Sequence, residues 1–285
     1  MSFLRRRAVQ GWLLVLPFLI AFSIFVIYPL IQTVVLSFSS GENPFFYYQE
    51  AFSNPRFSKA LTHTAAYTVI AAIAMTVLSI PTAYLIQQSM RRHPKLRHLL
   101  SLPYAASMMA VSLTNLMFFN SQNGLLNKLM PLFNLQPQNW LDSPGMAFLC
   151  VLLLMIWRGF SYILFTCLLI MDTLPQEPYE AATIAGASRW QAFRYISLPQ
   201  VLPVLGYVIP TTVIAVMTTF EPVLTLYYAG MNVGTTSSAA YLFYQQAFSV
   251  RGPGLACAIA CLMLVPIMLG CFLYSRYLLN NKSLR

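Results

Sequence analysis

The sequence has few charged residues: 17 Lys and Arg with 7 Asp and Glu make up 8% of its 285 residues. An ordinary soluble domain carries about 25%. Apolar residues make up 58% of the chain, and its mean hydropathy of +0.64 is too high for a soluble domain of this length. The scarcity of charge therefore excludes an ordinary soluble protein and indicates a membrane protein.

The sequence also lacks the motifs of several enzyme classes. There is no G-x-x-x-x-G-K, so we expect no nucleotide hydrolysis by a P-loop, and there is no H-E-x-x-H or G-x-S-x-G. The five cysteines fall in apolar stretches, where small buried side chains are a simpler interpretation than a metal site. An inverted repeat, common in secondary transporters, is not visible. We predict no catalytic residue and no metal site in this chain.

Long apolar stretches are abundant. A helix needs ~20 residues to cross ~30 Å of hydrocarbon. The stretches that meet this length lie at about 12–38, 60–88, 99–119, 146–171, 201–228 and 254–278. A cleaved signal peptide is the alternative for the first one, because a basic stretch precedes it. The uncharged run from Ala8 to Gly41 is too long for a signal core, so we interpret it as a span.

The distribution of Lys and Arg predicts the orientation of these six spans. Most of the basic residues fall in the loops and termini of one side, which the positive-inside rule assigns to the cytoplasm. We predict a single all-α integral membrane domain over residues 1–285, with both termini and the 172–200 loop cytoplasmic. The net charge of +10 follows from this asymmetry and suits anionic lipid, so we do not predict nucleic-acid binding.

The cytoplasmic loop 172–200 is longer than a helix hairpin needs. Glu180 lies near a predicted helix start, where a carboxylate is favoured. Small residues follow, which let another backbone approach closely, and then Trp190, Phe193 and Tyr195 offer aromatic anchors for an interface. These residues favour a docking helix. A helix lying on lipid headgroups is the alternative.

The same loop resembles the EAA loop of ABC importer permeases, written E-A-A, three residues, G, nine residues, I-x-L-P. All spacings are matched, by Glu180, Ala181, Ala182, Gly186, Ile196, Leu198 and Pro199. The resemblance implies a coupling helix that sits in a cleft of a separate ATPase subunit. Glu180 would be its anchor, and Gly186 a turn or a point of close approach.

Stretches along nearly the whole chain are similar to the maltose-type carbohydrate uptake branch, and within it to the MalF-like subunit. They include LLVLPFLIAFSIFVIYPL, NWLDSPGMAFLC and YQQAFS. The resemblance implies a type I ABC importer permease fold in the bacterial inner membrane, and alternating-access transport of a sugar or oligosaccharide. The large periplasmic insertion and the extra N-terminal helices of the maltose protein itself are missing.

The resemblance also implies partners and cofactors. The partners would be a second, MalG-like permease, two copies of an ABC ATPase subunit and an extracytoplasmic solute-binding protein. ATP and Mg would be held by the ATPase, with no cofactor on this chain.

In the maltose relative, a sugar pocket is built from the fourth and fifth spans. Aligned on the EAA loop, its positions fall on Gly159, Tyr162, Thr212, Val216 and Thr219. Val216 stands where the relative has a hydrogen-bonding residue. Ordinary helix packing is the alternative for Tyr162 and for both threonines.

Arg158 and Glu221 carry charges inside predicted spans, where exposure to lipid would be costly. At 1.5 Å per residue, the two residues lie ~18 Å and ~12 Å from the outer face. If the two helices are neighbours lining the pathway, our hypothesis is that the pair links them in one access state. The alternatives are that Arg158 contacts the partner permease or the carbonyls of an interrupted helix, and that Glu221 meets sugar hydroxyls.

Two other functions stay open at this point. One is an importer permease for a polar non-sugar solute such as a sugar phosphate or a glycerophosphodiester, which a cluster of pocket arginines would favour. The other is an ATP-independent secondary carrier, for which the EAA match would be a coincidence.

Overall fold

The computed structural model describes residues 2–41, 43–89, 99–250 and 252–280, and these residues form helices and loops with no strand among them. The predicted all-α fold is confirmed. In chain order, the α-helices are α1 (Ser2–Phe22), α2 (Tyr28–Ser37), α3 (Phe46–Ser53), α4 (Pro55–Ser89), α5 (Leu102–Ala105), α6 (Met108–Phe118), α7 (Leu125–Leu129), α8 (Pro144–Thr173), α9 (Glu177–Ile184), α10 (Arg189–Ala192), α11 (Leu198–Thr218), α12 (Glu221–Tyr228), α13 (Ala239–Tyr244) and α14 (Pro253–Asn280).

Among the described residues, five helical segments are long and apolar enough to cross a membrane. They are Gly11–Ser37, Pro55–Ser89, Gly145–Thr173, Arg189–Tyr228 and Pro253–Arg276. These segments overlap the first, second, fourth, fifth and sixth predicted spans.

The predicted third span, 99–119, is not one continuous helix. Ala106 and Ser107 have extended backbone conformations between α5 and α6, and the Ser107 side chain accepts a hydrogen bond from the Ala110 amide at 3.2 Å. Ser107 thus caps the start of a new helix. Helix α6 is 11 residues long, or about 16 Å, which is roughly half the hydrocarbon thickness. The count of six spans, like the orientation of the termini, stays a prediction.

The predicted fifth span is also interrupted. Helix α11 ends at Thr218, Thr219 is extended, and α12 begins at Glu221. Pro222 explains the break, because its ring clashes with the carbonyl four residues earlier and it has no amide to donate. The break puts Glu221 in the first turn of a new helix rather than in the middle of a span.

Wide π turns precede prolines that lie just inside a helix. The turn Ser23–Ile27 comes before Pro29, and the turn Phe193–Ser197 comes before Pro199. In both cases the carbonyl that the proline ring would strike, four residues earlier, belongs to the wide turn. The extra residue per turn relieves that clash, so the helical path continues.

The described residues fall into two compact units. One comprises those up to Pro55 together with Leu242–Val265, and the other comprises Arg56–Tyr241 and the residues from Pro266 on. In the first unit, the hydroxyls of buried Ser37 and of Tyr48 are 2.8 Å apart, and the Cys261 thiol donates to Ser37 Oγ at 3.8 Å. These bonds join α2, α3 and the start of α14. A single domain over 1–285 stays a prediction.

The second unit contains the large core, and α4 and α8 supply many of its fully buried side chains. Tyr67 and Met75 on α4, and Ile163 and Leu164 on α8, are each 1% exposed or less. Ser79 on α4 donates to the Phe160 carbonyl of α8 at 3.1 Å. Because lipid is as apolar as this core, close packing and such interhelical hydrogen bonds hold the helices together.

Candidate functional site

Most of the predicted pathway residues line one cavity in the second unit. The cavity has a volume of ≈ 100 Å³. The predicted residues on its wall are Arg158, Gly159, Tyr162, Thr212, Val216 and Thr219. The structure therefore brings this set together around a common space, although their transport role stays a prediction.

Gly159 allows α4 to approach α8 at this point. A Cβ atom at position 159 would lie 2.4 Å from Met75 Sδ, so any larger residue would displace that side chain. Met75 consequently reaches the cavity wall. The absence of a side chain at Gly159 shapes the cavity through its neighbour.

The cavity threonines donate their hydroxyl protons to their own helix. Thr212 Oγ1 lies 2.8 Å from the Val208 carbonyl oxygen, and Thr219 Oγ1 lies 2.7 Å from that of Ala215. Thr211 bonds to the carbonyls of the preceding turn in the same way. Hydrogen bonds from threonine to its own helix are expected if these residues serve only helix packing. The threonines keep free lone pairs but have no proton left to donate.

Two tyrosines and Arg158 form a stack at the cavity wall. The rings of Tyr104 and Tyr162 are stacked with centroids 4.8 Å apart, and Arg158 Cζ lies 5.1 Å from the Tyr104 centroid. Arg158 Nη2 also lies 3.5 Å from the Tyr104 carbonyl oxygen, a long hydrogen bond. Stacking on tyrosine holds the guanidinium in place while leaving its N–H groups at the edge.

The hypothesised pair of Arg158 and Glu221 is not formed in this structure. Both residues lie in the described part of the chain, where no ion pair joins them. Glu221 instead accepts a hydrogen bond from the Phe220 amide at 3.0 Å and sits at the start of α12, away from the cavity wall. The depth argument assumed a continuous helix, whereas Glu221 precedes a proline, a pattern typical of a helix start. Arg158 meets the carbonyl of an interrupted helix, which was one of the alternatives.

Sequence reasoning missed the contributions of the second and third predicted spans. Met75, Tyr104 and Met108 line the cavity together with the fourth and fifth spans. No residue pattern marks Met75. Pro103 and Ser107 are recognisable helix-start residues, and they would have located the break that puts Tyr104 beside Arg158.

The EAA residues form a helix with a defined end. Glu180, Ala181 and Ala182 lie in α9, and the backbone reverses at Gly186, whose φ is +74°. The Gly186 amide donates to the Thr183 carbonyl at 3.1 Å, and the Ala187 amide donates to the Ala182 carbonyl at 2.9 Å. These two bonds make a Schellman motif, which requires a left-handed residue and so favours glycine. Gly186 is a turn within this chain.

The second half of the loop is also specified locally. Ser188 and Gln191 form a reciprocal capping box at the start of α10, and the π turn before Pro199 contains Ile196. The hydroxyls of Tyr179 and buried Ser197 are 2.9 Å apart, so they join α9 to the start of α11. Leu198 is half-buried and Pro199 is exposed.

Several large apolar side chains of this loop are exposed. Ile184 is 88% exposed, Tyr195 72% and Trp190 63%. Glu180 and Ala181 are exposed as well. We call these five residues the loop face. A carboxylate beside large exposed apolar side chains suits docking to another protein, and lipid headgroups stay the alternative.

Helix α4 contacts both the loop and the last turn of α8. The Tyr84 hydroxyl donates to the Arg189 carbonyl of the loop at 3.0 Å, and Gln87 Nε2 donates to the Met171 carbonyl of α8 at 2.5 Å. The rings of Tyr84 and buried Phe193 also pack at 5.1 Å. The same helix carries Met75 to the cavity wall, about 14 Å away at 1.5 Å per residue. No residue pattern predicted this link.

The chain also matches a known protein family over more than half of its length. Residues 83–278 match the family described as the binding-protein-dependent transport system inner membrane component. The chain belongs to this family. It is thus a multi-pass permease of the cytoplasmic membrane, as the resemblance of the EAA loop predicted, and the EAA motif is typical of such permeases.

Relatives span nearly the whole permease. It is 30% identical over 267 residues to the inner membrane ABC transporter permease protein YcjO of Escherichia coli K12, covering 90% of this chain and 89% of that one. It is 26% identical over 268 residues to the trehalose/maltose transport system permease protein MalF of Thermococcus litoralis, covering 91% of each. The predicted MalF-like relationship is confirmed.

A solved structure has the same fold. The crystal structure of a bacterial alginate ABC transporter, in complex with an alginate pentasaccharide-bound periplasmic protein, matches with a TM-score of 0.86. The match covers 96% of this chain and 95% of that one at 19% identity. The predicted ABC permease fold is confirmed by this likeness.

Proposed function

We propose that this permease is one subunit of an ATP-driven importer that carries a sugar or oligosaccharide into the cell by alternating access. The observation that carries the proposal is the convergence of Gly159, Tyr162, Thr212 and Val216 on one cavity. Relatives whose names state a sugar substrate, such as the trehalose/maltose permease, support the substrate class.

The cavity's size supports a second permease subunit. Pockets for small molecules usually enclose about 300–1,000 Å³, whereas the volume here is ≈ 100 Å³. We infer that the chain supplies one wall of the pathway and that a MalG-like partner supplies the other. An extracytoplasmic solute-binding protein would deliver the sugar at the outer end.

The loop face supports docking to an ATPase. Two copies of that subunit would hold ATP and Mg, one against this chain and one against the second permease, with no catalysis on this chain. Glu180 would anchor α9 in the ATPase cleft, and the exposed Ile184 and Trp190 would fill apolar depressions there. The loop, and with it both termini, would then face the cytoplasm.

The contacts of α4 suggest how motion reaches the pathway. When the ATPase closes, it would displace the loop, and the bond from Tyr84 to the Arg189 carbonyl would move α4 with it. Met75, packed against Gly159, would carry that movement to the cavity wall. This is a rigid-body change of access.

A substitution that fills the cavity tests the proposal. Ala215 lies on the wall with its side chain exposed, so Ala215→Phe would occupy the pathway without disturbing the core. Ala21→Phe makes the same change on the exposed side of α1 and is the control. In proteoliposomes holding the complete complex, we expect ATP-dependent uptake of a panel of neutral and acidic di- to tetrasaccharides to fall about tenfold in the first variant only.

Two results would contradict the proposal. Equal sugar uptake by Ala215→Phe and wild type would show that the cavity is not part of the transport pathway. Uptake that continues without any ATPase subunit would favour the secondary carrier.

A further inference from the structure

Arg158 has no carboxylate partner in the described part of the chain. The whole sequence has 7 Asp and Glu residues, and Glu221, the one inside a predicted span, accepts from its neighbour's amide instead. Arg158 Nε is buried without a hydrogen-bond partner among the described residues. A guanidinium at membrane depth is costly to leave unpaired. Its countercharge must therefore come from outside the described part of the chain.

The surroundings hold the guanidinium at the cavity wall. Tyr104 packs against it at 5.1 Å and is itself stacked on Tyr162 at 4.8 Å. The carbonyl of Tyr104 takes one N–H at 3.5 Å, out of the five that Arg carries. A cation fixed on a stack of two rings is ready to bind an oxyanion without first reorganising.

The remainder of the wall offers little else to an anion. The hydroxyl protons of Thr211, Thr212 and Thr219 are donated to their own helix. Val216 and the methionines are apolar, and no Asp or Glu is among the lining residues. Among the side chains that line the cavity, the guanidinium and the two tyrosine hydroxyls are the groups that can still donate a hydrogen bond to a ligand. The cavity is therefore positive and suited to an anion.

We propose that Arg158 binds an anionic group on the transported sugar, a carboxylate of a uronate or a phosphate ester. Both present two oxygens to the guanidinium edge, a geometry that Arg matches with two parallel hydrogen bonds. The sugar ring beside that group would lie against the tyrosine stack. This inference rests on the proposed sugar import and narrows its substrate class.

Uptake of matched sugars tests the inference. A strain lacking this transporter is complemented with the complete system carrying wild-type permease, Arg158→Gln or Arg158→Lys. Labelled cellobiose, cellobiouronic acid and cellobiose 6-phosphate are the probes, so the carboxylate and phosphate arms are separate. Arg276→Gln is the control, because Arg276 also stacks on a ring, Phe272 at 5.3 Å, but does not line the cavity.

We expect Arg158→Gln to reduce uptake of the acidic probe that wild type accepts by about tenfold to a hundredfold, the usual loss of a charge-assisted bond. Arg158→Lys should retain part of it, because the charge stays but the paired geometry is lost. Uptake of any neutral sugar should change little, and Arg276→Gln should behave as wild type.

Other outcomes overturn the inference and locate the error. Wild-type uptake of cellobiose alone, unchanged in Arg158→Gln, would reject the anionic substrate and leave sugar import standing. Failure of Arg158→Gln to co-purify with the second permease would show that the arginine pairs with that partner instead. A wild-type system that takes up none of the three sugars, nor any sugar of the wider panel, would count against the proposed function itself.

Discussion

The coupling loop and the cavity are built in opposite ways, although α4 contacts both. The loop's shape depends on bonds between near neighbours, such as Ala187 to Ala182 and Ser188 to Gln191. The cavity depends on residues far apart in the chain, such as Met75, Tyr104 and Arg158. Local chemistry fixes the first region, and tertiary packing fixes the second. We therefore expect substitutions in the loop to act on assembly and those in the cavity to act on the solute.

Reversing the charge of Glu180 should have the largest effect on the loop. In Glu180→Lys, the exposed carboxylate in the first turn of α9 becomes a cation, which the helix dipole and any basic ATPase contact would both disfavour. We expect recovery of the ATPase with the purified permease to fall by about tenfold or more. Co-purification of the complex measures this.

Glu177 provides a matched control for that experiment. It is exposed, it lies in the same first helical turn, and it is outside the EAA motif. Glu177→Lys should retain most of the ATPase. If both variants lose the same amount of ATPase, the effect is a general one of charge, and the anchoring role of Glu180 is rejected.

Breaking the bond between α4 and the loop should have an intermediate effect. Tyr84→Phe deletes the hydroxyl that donates to the Arg189 carbonyl and keeps the ring against Phe193. One such bond contributes about 0.5–1.5 kcal/mol, so we expect the sugar imported per ATP hydrolysed to fall by about threefold. Binding of the ATPase should not change. Uptake and hydrolysis measured on the same proteoliposomes give this ratio.

Tyr67→Phe is the control for Tyr84→Phe, because it removes a hydroxyl from the other half of the same helix. Its bond, to the Thr236 carbonyl at 3.4 Å, is longer and lies away from the coupling loop. If both variants lower the ratio equally, α4 is a general support rather than a specific link between loop and cavity.

The two regions also differ in how far the sequence predicted them. The EAA spacing located Glu180 and Gly186. The left-handed turn at Gly186 follows from hydrogen bonds between near neighbours, which a helix that ends at glycine commonly forms. The cavity positions came from the resemblance, and the structure brought them together. The tyrosine stack was missed because ring packing between helices leaves no periodic pattern in a chain that is apolar throughout.

Helix breaks account for the remaining failures. The third and fifth predicted spans were drawn as uniform apolar runs, and hydropathy does not register a cap such as Ser107 or a proline such as Pro222. The depths assigned to Arg158 and Glu221 rested on the same assumption of a continuous helix, and this structure does not pair the two residues. Capping residues and prolines mark helix ends in soluble proteins. The same residues inside these apolar runs would have predicted the breaks in the third and fifth spans.

The smallest expected effect separates Thr212 from Thr219, two of the three threonines on the cavity wall. The Val208 carbonyl lies within α11, so Thr212→Val leaves it with its ordinary helical bond and removes only the extra bond from Thr212 Oγ1. The Thr219 amide instead bonds to Val216, at 3.2 Å, so the Ala215 carbonyl depends on the hydroxyls of Thr219 and Thr218. Thr219→Val should therefore destabilise the helix end by about 1 kcal/mol, and Thr212→Val by less.

Thermal unfolding of the purified complex and sugar uptake together test this difference. We expect Thr212→Val to change uptake by less than about twofold, since its proton is already donated within the helix. Thr219→Val should lower the unfolding temperature more than Thr212→Val does. A tenfold loss of uptake in Thr212→Val at unchanged stability would mean that its lone pairs accept a bond from the sugar. The packing interpretation of Thr212 would then be wrong. The cavity would recognise the sugar through threonine hydroxyls as well as through Arg158.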